Sequence, residues 1–129
     1  TKKIDAIVGV QPTSPIRPFK LLNKSLKQFY NKKLDSLFTA QKVSDHFIWK
    51  NNRNMFVANY NYKKRPMRQK IEEKFLENGS FYIFKPEKFL KKKCRLFGKI
   101  GCFTMSKIQS FQIDDKQDVE LFNNLRRYL

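Results

Sequence analysis

The chain is poor in cysteine, histidine and acid. Its two cysteines, Cys94 and Cys102, are too few for a disulfide framework, and their spacing fits no zinc pattern. A single histidine with no cysteines clustered around it makes no structural zinc site and gives no ground for a Ser-His-Asp arrangement. His46 reads instead as a hydrogen-bonded residue of an arm. No apolar run approaches the roughly 18 residues of a membrane span. No cationic leader with an apolar core is present either, because Thr1-Lys2-Lys3 runs straight into a short apolar segment. These features exclude a membrane partner and lead to the expectation of a reduced, cytoplasmic compartment. There is neither an internal repeat nor a low-complexity stretch.

Acid is scarce beside base: 11 carboxylates face 28 lysines and arginines, giving a formal charge of +17. Such a balance draws polyanions. The basic residues are nevertheless scattered along the whole chain, with short runs only at Lys63-Lys64-Arg65 and Lys91-Lys92-Lys93. Dispersal of this kind reads as a solvated basic surface with no specific nucleic-acid partner. Part of the excess is left for small substrates that carry phosphate and carboxylate. The competing reading is a basic nucleic-acid-binding module whose interspersed aromatics stack on bases. Against it, the aromatics fall at core spacings and no such binding motif occurs.

Thirteen Phe among 129 residues, and an apolar share of 40%, suffice for one packed core. Ile4 to Val10 is a nearly continuous apolar run, which suits a strand covered on both faces. It ends at Gln11-Pro12-Thr13-Ser14-Pro15, a turn rich in hydroxyls and proline. Phe19, Leu22, Leu26, Phe29 and Tyr30 then mark one face of a helix. Leu34 to Ala40 reads as a second strand, completing a βαβ unit. His46 to Trp49 and Met55 to Val57 flank a polar turn, as in a hairpin arm. Asn78-Gly79 launches a strand over Phe81 to Phe84. Pro86 to Lys92 is a short helix with proline in its first turn, and Lys99 to Met105 a further strand. The chain closes on a helix whose apolar face runs from Val119 to Leu129, with Asp115 and Asp118 at its positive end. The expected class is α/β with a mostly parallel sheet and an inserted arm at about residues 46–66. Ligands in such sheets sit beyond the carboxyl ends of strands. Three segments qualify there: Gln11 to Arg17, Arg65 to Gly79, and Ser110 to Asp115.

Those three segments also carry a resemblance. Gln11-Pro12-Thr13-Ser14-Pro15-Ile16-Arg17 resembles the Q-P-T-S-P-L-R signature of the acylneuraminate (CMP-sialic acid) cytidylyltransferase family. Arg65-Pro66-Met67-Arg68-Gln69 is similar to that family's R-R-Q element. Asn78-Gly79-Ser80-Phe81-Tyr82-Ile83 is similar to its N-G-[AS]-[IF]-Y-I strand. Ser110-Phe111-Gln112-Ile113-Asp114 resembles its S-[IF]-[DE]-I-D metal turn, with Asp118 at a further acidic position. The four stand in the family's order and cover nearly the whole chain.

The resemblance implies a Rossmann-like nucleotide-diphospho-sugar transferase fold, with residues 1–129 as the C-terminal part of one domain. It implies transfer of CMP from CTP to an acidic nine-carbon 2-keto-3-deoxy sugar such as N-acetylneuraminate, with Mg²⁺ as cofactor and a homodimer joined through the arm. Phe47 and Trp49 would anchor that dimer. By this resemblance Asp114 would be the catalytic metal ligand, with Gln112 beside it where the family carries Asp or Glu. A carboxamide brings no charge, so Gln112 weakens the site. Arg68, then Arg65, would grip the sugar carboxylate. Gln69 would orient a sugar hydroxyl, Gln11, Ser14 and Asn78 would contact sugar or ribose, and Tyr82 would form a pocket wall. The alternative role for Asp114 and Asp115 is to cap the final helix. The family opens with a strand and a basic, glycine-containing loop that clasps CTP, and nothing at Thr1 matches either. The expectation is therefore an N-terminally truncated chain with exposed apolar edges, showing no transfer by itself: an enzyme fragment, or a catalytically dead, dimer-forming remnant.

Overall fold

The computed structural model describes residues 3–44 and 47–129. Its main body is a four-stranded sheet of β1 (Ile7–Val10), β2 (Ser36–Val43), β5 (Lys74–Phe84) and β6 (Ile100–Met105) in the order β1-β5-β2-β6. Helix α1 (Phe19–Asn31) connects β1 to β2, and α2 (Pro86–Lys92) connects β5 to β6. The hairpin β3 (Trp49–Asn52) and β4 (Met55–Ala58) forms a separate two-stranded sheet, and α3 (Lys116–Leu125) ends the chain.

The sheet is mixed, which corrects the expectation of a mostly parallel one. β1, β2 and β6 run the same way, but β5 lies between β1 and β2 and is antiparallel to both. A strand spliced between the two parallel strands of a βαβ unit leaves no mark in local patterning. The apolar run of β1 is likewise not doubly covered. β1 is an edge strand among the described residues, its first three residues are half-buried and Val10 is exposed.

Two apolar layers hold the body. On one face α1 sets Phe29, with Leu22 and Leu26, against Leu37, Phe81, Ile83 and Met105. Their 4- and 3-residue spacing places them on one stripe. Phe19 and Tyr30, expected on that stripe, are exposed at the helix ends. On the other face Tyr82, Phe84 and Phe97 are buried with Ile7, Phe38, Phe89 and Leu96. α2 and the loop after it supply this layer. Ser36 fixes the loop, donating to the Phe97 carbonyl at 2.8 Å and accepting from the Phe97 amide at 2.9 Å.

α3 begins on a capping box: Asp115 accepts from the Asp118 amide at 3.0 Å while Asp118 accepts from the Asp115 amide at 3.2 Å. No residue of α3 is buried. Phe122 makes a stacked contact with Phe111, ring centres 6.2 Å apart.

Candidate active site

The carboxyl edge of the sheet is shaped by one irregularity. Phe38 pairs with Tyr82 but Ala40 pairs with Glu77, so Asn78 to Phe81 bulge out opposite the single residue Thr39. Gly79 allows this, sitting at φ +63°. Asn78-Gly79 therefore does not launch a strand. It kinks one that already began at Lys74, and Lys74 to Glu77, read from sequence as loop, is ladder.

Buried side chains replace the missing ladder bonds. The Thr39 hydroxyl meets the Asn78 carboxamide oxygen at 2.6 Å and accepts from the Phe81 amide at 3.3 Å. That same Asn78 oxygen accepts from the Ser80 amide at 3.2 Å, while Asn78 Nδ2 donates to Ser110 Oγ at 2.9 Å and faces Met105 Sδ at 3.6 Å. Two acceptor positions and two donor hydrogens are all spent. Asn78 thus has nothing left to offer a sugar; the reading of it as a substrate contact gives way to a positioning role.

Two loops converge on the bulge. The loop after β1 is held by Arg17, whose Nη1 donates to the carbonyls of Gln11 and Ser80 at 3.2 and 3.1 Å. The turn after β6 joins it through the Ile113 amide, which donates to the Thr13 carbonyl at 2.8 Å. Gln112 donates its side-chain amide to the Asn78 carbonyl. A methyl group built on Gly79 would lie 3.4 Å from Gln112 Nε2 and 3.6 Å from Gln11 Oε1. Gln11 and Gln112 therefore flank one glycine, forming a carboxamide-lined floor. Arg17 escaped the sequence reading because its motif position gave no hint that it clamps two backbones.

Ser14 lies beside this floor with its hydroxyl buried and without a hydrogen-bond partner among the described residues. Buried hydroxyls are normally satisfied. Asp114 is exposed at the rim, and its amide donates to Asp118 at 2.9 Å. Asp114 is not the helix cap, since Asp115 takes that role, and Asp118 is spent on the capping box. Residues 111–114 form no strand, so no strand alternation aligns Gln112 with Asp114. Among the described residues no group of three or more His, Cys, Asp or Glu side chains could hold a metal.

Tyr82 is buried and donates its hydroxyl to Glu77, while the Arg95 guanidinium lies 4.2 Å over its ring. Burial, then the Glu77 carboxylate, push the phenol above its ordinary value of 10.0. Arg65 belongs to the arm, 4.3 Å over the Phe47 ring. Arg68 and Gln69 form an exposed single 3₁₀ turn between the arm and β5. His46 lies outside the described residues. The structure thus brings together Gln11, Asn78 and Gln112, with Ser14 and Asp114 on the same loops, and keeps Arg65 with the arm.

No family model matches the chain, and no curated protein does. Among solved structures the chain is similar to 4-diphosphocytidyl-2C-methyl-D-erythritol synthase from Anaerococcus prevotii, with a TM-score of 0.59 and 13% identity. The likeness covers 95% of this chain and 59% of that one, so the chain spans well under two thirds of the enzyme it matches. At this identity the likeness establishes the fold, a mixed α/β sheet of the kind seen in that synthase. No helix among the described residues is long and apolar enough to cross a membrane.

Proposed function

We propose that the chain supplies the acceptor side of a nucleotidyltransferase, one that moves CMP from CTP onto an acidic 2-keto-3-deoxy sugar such as N-acetylneuraminate. The observation that carries this reading is the bulge at Asn78–Phe81, which gathers the loops after β1 and β6 around Gly79 on a fold shared with a diphosphocytidyl synthase. Bulges beside a sheet's carboxyl edge re-aim side chains for such work.

In this reading Gln11 presents its carboxamide to sugar or ribose hydroxyls. Ser14 completes its hydrogen bonding only when a hydroxyl or carboxylate arrives. Arg68 offers a two-bond grip for the sugar carboxylate, Gln69 meets a neighbouring hydroxyl, Arg65 adds charge, and Tyr82 walls the pocket. Mg²⁺ would neutralise charge developing on the transferred phosphoryl group. One carboxylate, Asp114, is available here to hold it, which suits an ion that otherwise keeps waters and substrate phosphates. Gln112, turned onto the Asn78 carbonyl, favours a second reading in which the chain is a catalytically silent, dimer-forming remnant.

Calorimetric titration with N-acetylneuraminate tests the reading. Arg68→Ala is expected to weaken binding by about tenfold or more, the loss of a charge-assisted contact. Ser14→Ala should weaken binding while raising fold stability by about 1 kcal/mol, since it removes an orphaned buried hydroxyl. A folded protein that binds no acidic sugar sinks the enzyme reading. Binding that survives with no Mg²⁺-dependent CMP transfer by the native gene product favours the silent remnant.

The dimer is proposed to form through the arm. Its turn at Arg53-Asn54, both at positive φ, pairs β3 with β4 but leaves Met55, Phe56 and Val57 more than half exposed. Phe47, read from sequence as an anchor, packs at a tilt against Tyr60 inside the arm with centres 4.4 Å apart. Met55 and Phe56, alongside Trp49, are the better anchors. Changing Met55 and Phe56 together to Ser should shift the light-scattering mass from dimer to monomer. An unchanged mass would show that the arm is no interface.

A further inference from the structure

The fold collects at one place the lysines that the sequence scatters. Asp35, Lys85 and Lys99 immediately flank the ends of β2, β5 and β6 that meet at the amino edge of the sheet, opposite the candidate active site. α2 starts from that edge and carries Lys88, Lys91 and Lys92, spaced three and four residues from the first and so on one helix face. Asp35 is the acid within reach, and it is already spent. It accepts from Lys85 and Lys88 at 2.9 and 2.8 Å and from the Lys99 amide at 3.0 Å. Glu87, the one acid of α2, makes no ion pair, and Lys91 and Lys92 have no ion-pair partner among the described residues.

Between this lysine face and the loop after α2 lies an open depression of about 280 Å³, lined by Lys88, Lys91, Lys92, Phe97 and Gly98. That size is just below the range of drug-sized ligand sites and suits a group as small as phosphate. Gly98 sits at φ +62° with the Asp35 side chain packed against it, and the buried Phe97 gives the floor an apolar element. We propose that this amino-edge cradle is a phosphate-binding site, separate from the carboxyl-edge site and independent of the function proposed for it. Lysine ammoniums are compact point charges suited to phosphate, whereas a planar carboxylate is gripped best by an arginine fork, and no arginine lines the depression. The phosphate belongs to a free phosphorylated compound or to a nucleic-acid backbone, and the two sources separate experimentally.

Fluorescence anisotropy of labelled oligothymidylate and calorimetry with inorganic pyrophosphate are run on the intact chain at low salt. Two charge-matched double variants are compared, Lys91→Glu with Lys92→Glu in the cradle and Lys63→Glu with Lys64→Glu in the arm. All four positions are exposed, so both variants keep the fold, which circular dichroism checks. The cradle variant is expected to lose binding of at least one probe by about tenfold or more, and the arm variant by less than about threefold. Saturable pyrophosphate binding lost only in the cradle variant makes a free phosphate compound the ligand. Oligonucleotide binding that pyrophosphate does not displace makes it a nucleic-acid backbone. Equal losses in the two variants, or no binding of either probe, overturn the proposal.

Discussion

Replacing Asp35 by Ala is expected to lower stability by about 2–3 kcal/mol, and the thermal midpoint by roughly 10 °C. The Asp35 carboxylate is mostly buried, 16% exposed, and takes two ammoniums and one backbone amide. It joins the start of β2 to the end of β5 and to the residue before β6. Its loss would leave Lys85 half-buried without a counter-charge, while the Lys88 contribution is reduced by solvent. Asn at this position should recover part of the loss by keeping the bond to the Lys99 amide.

The same group sets a pH dependence. The Lys88 ammonium, the Lys99 amide and the Lys85 ammonium hold the Asp35 carboxyl far below its ordinary value of 3.8. A carboxyl held down in the folded state stabilises fully above its unfolded pKa, and that contribution fades as pH falls through the ordinary carboxylate range and below. Urea unfolding across that range should show a steep acid slope in the wild type and a shallower one in Asp35→Ala. Parallel slopes would mean that the carboxylate is not linked to folding. Gly98→Ala gives an independent check, because a methyl there would stand 2.3 Å from Asp35 Oδ2. Alone it should cost as much as Asp35→Ala. Combined with Asp35→Ala it should add less than it costs alone, because the clash with the carboxylate is gone, while the 2.8 Å approach to the Cβ of residue 35 and the positive-φ penalty of about 1 kcal/mol remain.

How far the sequence disclosed this molecule depends on whether a feature is local. The helices α1, α2 and α3 and the hairpin stand close to where periodicity and turn residues put them, because amphipathic spacing, Pro86 and the Asp115–Asp118 pair act within a few residues. The direction of β5 and its place between β1 and β2 depend on pairings roughly thirty to almost eighty residues apart, to which Phe and Ile patterning is blind. The site divides the same way. Gln11 and Gln112 were legible as loop residues, and the fold does set them on one glycine. The roles of Arg17, Thr39 and Ser110 were not, since each acts by bonding a partner remote in sequence. Charge was the least legible property, because clustering at the amino edge is a consequence of topology.

Removal of the Asn78 side chain should show how the site is kept in shape. Asn78→Ala is expected to cost about 2 kcal/mol, since it strands the buried Ser80 amide and takes a partner from the Thr39 and Ser110 hydroxyls, which keep their bonds to the Phe81 and Ser106 carbonyls. The damage should be directional. The Asn78 side chain, together with that of Gln112, ties the β5 bulge to the turn after β6, so freeing Ser110 loosens the segment that carries Gln112 and Asp114. Hydrogen exchange at the Ile113 amide, now held by the Thr13 carbonyl, should quicken more than exchange at core amides such as Ile83. Gln11→Ala is the contrasting variant. Its side chain is half-buried at the floor, so it should leave stability within about 0.5 kcal/mol of wild type while weakening acidic-sugar binding. Positioning and contact thus separate, with Asn78→Ala losing stability and loop order together and Gln11→Ala losing binding alone. If Asn78→Ala unfolds at the wild-type urea concentration with Ile113 exchange unchanged, the bulge is held by Gly79 and Arg17 alone, and the carboxamide network is incidental to the site.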